Sequence, residues 1–135
     1  MKILGRHILA EFTGCDQGLL NDQKAIEAIL LEAARRSGAT IVNSVFHRYN
    51  PYGLSGIIVI AESHISIHTW PEYGYAAVDF FTCGERVDPW QGCRYLEEKL
   101  KSSGLHTQEI KRGIPSVKDE ILPHKPMECV TDAVN

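Results

Sequence analysis

Between Ala39 and Cys83 the chain packs four β-rich segments together, with connections too short for any parallel crossover. Segments 39–48 and 54–61 flank Asn50-Pro51-Tyr52-Gly53, and segments 64–70 and 75–83 flank Pro71-Glu72-Tyr73-Gly74. Only Glu62 and Ser63 separate the middle two. Asn, Pro and Gly in those places form turns. A parallel pair needs a crossover of a dozen residues or more, so these strands must pair antiparallel.

The flanks add helices. Residues 3–12, rich in Ile, Leu and Phe, read as a first strand. Asn21 and Asp22 are placed to cap a helix. Ile26, Ile29, Leu30 and Ala33 then recur at helical spacing, with Lys24, Glu27, Glu32 and Arg35 on the other side, until Gly38 ends the run. Asp88 and Pro89 open a second helix, with Gln91 placed to reach back as in a capping box. Trp90, Cys93, Leu96 and Leu100 form its apolar stripe, and 105–111 reads as a last strand. The order strand, helix, four strands, helix, strand predicts an α+β fold. We expect a two-layer α/β sandwich, one mostly antiparallel sheet with two helices packed on one face. The other face needs a cover, and a second copy of the chain is the simplest candidate.

At 135 residues this is one domain, and 44% hydrophobic content is that of a folded one. We expect the domain over 1–112 and a loosely ordered tail over 113–135, where Pro115, Pro123 and Pro126 sit among polar residues without period. A net charge of -3 and a pI near 6.0 leave no basic footprint for nucleic acid. The apolar run from Leu54 to Ala61 is too short to span a membrane, and no apolar segment of secretory length follows Lys2 and Arg6. The four cysteines, Cys15, Cys83, Cys93 and Cys129, form no CxxC, which argues against a zinc ribbon or thioredoxin motif. Reduced thiols in a cytoplasmic protein are the expectation.

Several residues have side chains suited to chemistry. A serine hydroxyl such as that of Ser63 can attack the preceding carbonyl and convert the amide to an ester. Elimination and hydrolysis then leave a pyruvoyl group. The plainer reading of Glu62-Ser63 is a loop between two hairpin strands. His64 and His68 invite a metal reading, but Ile65 and Ile67 alternate with Ser66 and His68, as on a strand. There the two histidines stand ~13 Å apart, too far for one metal. Ser63 and His68 are an odd number of residues apart, so on a continuous strand they face opposite sides, ~16 Å apart. His68 then reaches the Ser63 of a partner chain more readily than its own. Ser55 beside Gly56 fits turn chemistry. Cys83 reads either as a small buried group or as a tunable acid at a strand end. Glu72 in a turn and Tyr49 after Phe46-His47-Arg48 have ordinary solvated or packing roles available. Glu11 is an acid inside an apolar strand, where charge is seldom buried without purpose.

The runs Leu4-Gly5-Arg6-His7, Gly38-Ala39-Thr40-Ile41, Phe46-His47-Arg48, Pro51-Tyr52-Gly53-Leu54-Ser55-Gly56 and Phe81-Thr82-Cys83-Gly84 carry a resemblance. So, most specifically, does Ala61-Glu62-Ser63-His64-Ile65-Ser66-Ile67-His68-Thr69-Trp70-Pro71-Glu72. Over about residues 2–112 the chain resembles the small pyruvoyl-dependent S-adenosylmethionine decarboxylases of prokaryotes. The resemblance implies a proenzyme self-cleaved between Glu62 and Ser63 into a β chain, 1–62, and an α chain, 63–135. Its cofactor is a pyruvoyl group made from Ser63, which forms a Schiff base with the substrate. It implies His68 as the processing base, Ser55 as a processing aid and Cys83 as the proton donor in turnover. By the resemblance Glu72 would bind ribose hydroxyls; on residue type alone, Tyr49 is an aromatic suited to stack on adenine and Glu11 a further candidate for the substrate site. It also implies a homodimer with shared sites, serine and cysteine from one chain and histidine from the other. The reaction would turn S-adenosyl-L-methionine into the aminopropyl donor of spermidine and polyamine synthesis, without metal or diffusible cofactor. Cys15, Cys93 and Cys129 match no role, and Cys93 reads as core. The alternatives are a pyruvoyl-dependent decarboxylase of a free amino acid, and a non-catalytic α+β binding module or inactive paralogue.

Overall fold

The computed structural model describes residues 3–113, so the expected tail and Cys129 lie outside the described residues. Six strands form one sheet: β1 (Gly5–Thr13), β2 (Ile41–Arg48), β3 (Leu54–Ile60), β4 (Ser63–Trp70), β5 (Tyr75–Cys83) and β6 (Gly104–Arg112). Their order is β2-β3-β4-β5-β1-β6, and every neighbouring pair is antiparallel. The short turns make β2 to β5 a meander. The helical crossovers then bring β1 beside β5 and β6 beside β1.

The expected two helices are three. A single turn, α1 (Gln17–Leu20), precedes α2 (Gln23–Arg36) and α3 (Pro89–Lys99). Asp16 accepts from the Leu19 N–H, Asp22 from the Ala25 N–H and Asp88 from the Trp90 N–H, so an aspartate caps each helix. One helical turn carries no apolar period, and Leu20 in the core is what holds α1. Ile26, Leu30, Leu96 and Leu100 pack with Ile8, Phe12, Ile65, Ile67 and Phe80 into the core between helices and sheet.

The alternation leaves His7, Glu11, Ser66, His68, Trp70, Tyr75 and Asp79 on the other face, half-buried or exposed. No helix among the described residues covers that face. No helix among them is long and apolar enough to cross a membrane.

Candidate active site

Strand β4 begins one residue earlier than the sequence suggests. Ser63 already pairs with Ile60 on β3 and with Thr82 on β5, so the β3–β4 hairpin closes on Ala61 and Glu62 alone. A two-residue hairpin loop favours primed turns, whose positive φ matches the twist of the strands. Neither Ala61 nor Glu62 has a positive φ. The distortion falls on Ser63, whose φ is 143°. A residue with a Cβ held there costs about 1–3 kcal/mol, and persists only where its surroundings enforce it.

Those surroundings are specific. The Glu62 side chain is 6% exposed and accepts from the Thr40 N–H at 3.1 Å and the Thr40 hydroxyl at 3.3 Å. The Glu62 backbone carbonyl accepts from the Cys83 N–H at 2.9 Å. Downstream, the Ser63 Oγ lies 3.3 Å from the Cys83 Sγ. The cysteine has room because Gly5 pairs with it across β1, where a Cβ would stand 3.2 Å from the sulfur. Directly across from Ser63, Thr82 is 1% exposed and its hydroxyl has no hydrogen-bond partner.

A second cluster occupies the other end of β4. Ser55 and His68 are cross-strand partners, and the Ser55 Oγ lies 2.8 Å from His68 Nδ1. The Tyr49 hydroxyl is 3.1 Å from the same Oγ. Tyr49, Ser55, His68 and Glu72 line one cavity of about 310 Å³, together with Tyr52 and Trp70. Trp70 was not singled out from the sequence. It stacks against Tyr75 with ring centroids 5.2 Å apart, and the Tyr75 hydroxyl donates to Glu11. Glu11 therefore braces the cavity wall from behind and does not line it. Burial, with the Glu11 hydrogen bond and charge, pushes Tyr75 up to about 12.

The structure thus brings Ser63, Glu62 and Cys83 together, and separately Tyr49, Ser55, His68 and Glu72. It does not bring Ser63 to His68 within one chain. The β3–β4 and β4–β5 registers run without a break from Ser63 to His68, so no bulge turns one toward the other.

Asp79 is a hub that no sequence pattern announces. His7 Nε2 lies 2.5 Å and His64 Nε2 2.9 Å from its Oδ2, and Ser66 donates to its Oδ1. Burial alone would raise this carboxyl, but the hydrogen bonds from His64, Ser66 and His7 outweigh it and hold Asp79 at about 2. Among the described residues, His7, His64 and Asp79 are the group placed closely enough to suggest a metal. The Arg112 Nη1, which only donates, lies 3.3 Å from His7 Nδ1. That Nδ1 must accept, so Nε2 carries the proton and donates to Asp79, which suits a hydrogen-bond hub better than a metal ligand. Desolvation pushes Cys15 and Cys93 up to about 11, out of the range of reactive thiols.

These features define a one-sided α+β sandwich with a strained backbone at Ser63 beside a thiol and a serine–histidine cavity on its open face. The family model for S-adenosylmethionine decarboxylase matches residues 6–113. The chain is 57% identical over 114 residues to an S-adenosylmethionine decarboxylase proenzyme of Caldicellulosiruptor saccharolyticus, covering 84% of this chain and 92% of that one. It is 55% identical to the proenzyme of Fervidobacterium nodosum, over 96% of both chains. The crystal structure of the adenosylmethionine decarboxylase from Aquifex aeolicus matches with a TM-score of 0.81 at 35% identity, over 90% of this chain and 99% of that one. The chain belongs to the S-adenosylmethionine decarboxylase family.

Proposed function

We propose that this chain is a proenzyme that cuts itself between Glu62 and Ser63 and then decarboxylates S-adenosyl-L-methionine, supplying the aminopropyl donor for polyamine synthesis. The observation that carries the reading is the φ of 143° at Ser63, with the Glu62 carbonyl fixed by the Cys83 N–H. A strained backbone at Ser63 with a polarised carbonyl before it and its own hydroxyl beside it is poised for an N-to-O acyl shift.

The Ser63 hydroxyl adds to the Glu62 carbonyl, and the negative charge that develops on its oxygen meets the Cys83 N–H. The C–N bond breaks, nitrogen takes the proton, and an ester joins Glu62 to the Ser63 side chain. Loss of the Ser63 Cα proton then breaks the Cβ–Oγ bond and releases the Glu62 carboxylate. One water hydrolyses the remaining enamine to a pyruvoyl group and ammonia. An imidazole of near-neutral pKa suits the proton abstraction. Because Ser63 and His68 lie at opposite ends of β4, ~16 Å apart along the strand, the His68 we assign to this step belongs to a partner copy laid on the open face. Ser55 is hydrogen-bonded to His68 and orients its ring.

The surroundings of residue 63 fit a pyruvoyl group, with a thiol at 3.3 Å and a backbone donor in place. Such a ketone takes up the substrate α-amino group and accepts the electrons released with carbon dioxide. Cys83 delivers the proton to the substrate carbon. The Glu72 carboxylate accepts two ribose hydroxyls and the Tyr49 ring stacks on adenine. An aromatic and acidic lining suits a nucleoside better than a bare amino acid. A working Cys83 thiol is consistent with a cytoplasmic enzyme, where thiols stay reduced.

Intact mass of the purified protein tests the reading. Two species are expected, 1–62 ending in Glu62 and 63–135 opening on a blocked pyruvoyl. A single uncut chain after long incubation overturns it.

A second test separates cutting from turnover. Cys83→Ala keeps the backbone N–H that holds the Glu62 carbonyl, so the chain still cuts. Its decarboxylation rate should fall by about 100-fold or more, as on loss of a general acid. Turnover at the normal rate would remove Cys83 from the proton-donor role.

A further inference from the structure

Thr82 holds the only buried side-chain oxygen or nitrogen among the described residues that lacks a hydrogen-bond partner. Buried hydroxyls are nearly always bonded, because one left without a partner loses its water and gains nothing. A valine of the same shape would avoid that loss. The position makes the exception informative. Thr82 stands directly across from Ser63 in the β4–β5 register, and it precedes Cys83, whose N–H already holds the Glu62 carbonyl oxygen.

We infer that the Thr82 hydroxyl has no partner in the uncut chain because the cut makes one: it donates to the oxygen that leaves residue 63 with the Glu62 carboxylate. The inference rests on the self-cutting proposed above. In the elimination step the Cβ–Oγ bond of Ser63 breaks, and its electron pair stays on that oxygen, now half of a carboxylate. The other half is the former carbonyl oxygen. Cys83 N–H serves that one, and Thr82 O–H serves the oxygen on which charge is still to develop. A hydrogen bond formed only as charge appears lowers a barrier without stabilising the starting state, and bonds to an ionised acceptor are about twice as strong as neutral ones.

The variants are Thr82→Val, which keeps the shape, and Thr82→Ser, which keeps the hydroxyl. Each is made in the otherwise intact chain and again with Ser63→Ala, so that the uncut state is measured alone. With Ser63 present, Thr82→Val should cut about 10-fold or more slowly, and the ester should accumulate. Hydroxylamine, which cleaves esters, should then split that chain between residues 62 and 63. Thr82→Ser should restore most of the rate. In the Ser63→Ala background, Thr82→Val should melt at the same temperature or higher. The inference is overturned if Thr82→Val cuts at the normal rate, if serine rescues no better than valine, or if valine lowers the melting temperature of the uncut chain by several degrees. If the unsubstituted chain itself never cuts, the underlying proposal fails first, and that outcome is separately visible in the control.

Discussion

Ser63→Ala is expected to yield one intact chain, however long it is incubated, with no measurable decarboxylation. Without the hydroxyl nothing attacks the Glu62 carbonyl, and without the cut there is no ketone at residue 63. The strain is expected to remain, because alanine carries the same Cβ at a φ of 143°. Ser63→Gly separates the two effects. Glycine also lacks the hydroxyl and stays uncut, but it adopts positive φ freely. The uncut glycine variant should melt about 2–6 °C above the alanine variant, the shift that about 1–3 kcal/mol of released strain gives a domain of this size, less what glycine loses in chain entropy. Calorimetry on the two proteins decides it. Equal melting temperatures would mean that the backbone at residue 63 stores nothing, and the distortion would no longer explain why this bond breaks.

The meander was legible because its turns are short and chemically explicit. Asn50-Pro51-Tyr52-Gly53 and Pro71-Glu72-Tyr73-Gly74 leave no room for a crossover, and all six strands fall close to where alternation placed them. Two features of the fold were not legible. The one-turn helix α1 has no period to read. The hairpin at Ala61-Glu62 contains no Gly, Asn or Asp, so Ser63 looked like loop when it is the first residue of β4. That shift of one residue matters, because it sets Ser63 opposite Thr82.

The site divides in the same way. Ser63 and His68 came from one uncommon run of residues and Cys83 from another, and the parity of Ser63 and His68 along one strand already argued that serine and histidine do not meet within a chain. What touches what depends on register, which the sequence does not print. Ser55 meets His68 because the two-residue turn at Ala61-Glu62 sets the β3–β4 register. Asp79 on β5 gathers His7 from β1 and His64 from β4, with His7 72 positions away in sequence, and leaves no local pattern. Trp70 and Thr82 lay inside the quoted runs, but an exposed ring in a cavity wall and a hydroxyl without a partner are tertiary facts. Glu11 drew notice as a charge in an apolar strand, and alternation puts it on the open face against Tyr75.

Co-expression of Ser63→Ala with His68→Ala chains is expected to restore cutting that neither variant shows alone. Strand β4 runs unbroken from Ser63 to Trp70, and the strands on both sides follow it without a register shift as far as His68, so the two side chains stay at opposite ends, ~16 Å apart along the strand. The open face that carries His68 has no cover among the described helices, and a symmetric dimer is the commonest closed way to cover such a face. In a heterodimer of the two variants, one site has lost both groups. The other combines the intact Ser63 of the His68→Ala chain with the intact His68 of its partner. Only the His68→Ala chain should therefore be cut, and chains tagged to differ in mass make that asymmetry visible in one spectrum. A symmetric result, with both chains cut, is impossible on this scheme because the Ser63→Ala chain has nothing to attack with. If the chains pair but nothing is cut, the shared site is wrong. The proton on the Ser63 Cα must then leave by a base of its own chain, for which the Cys83 thiol at 3.3 Å from the Ser63 Oγ is the nearest group in place.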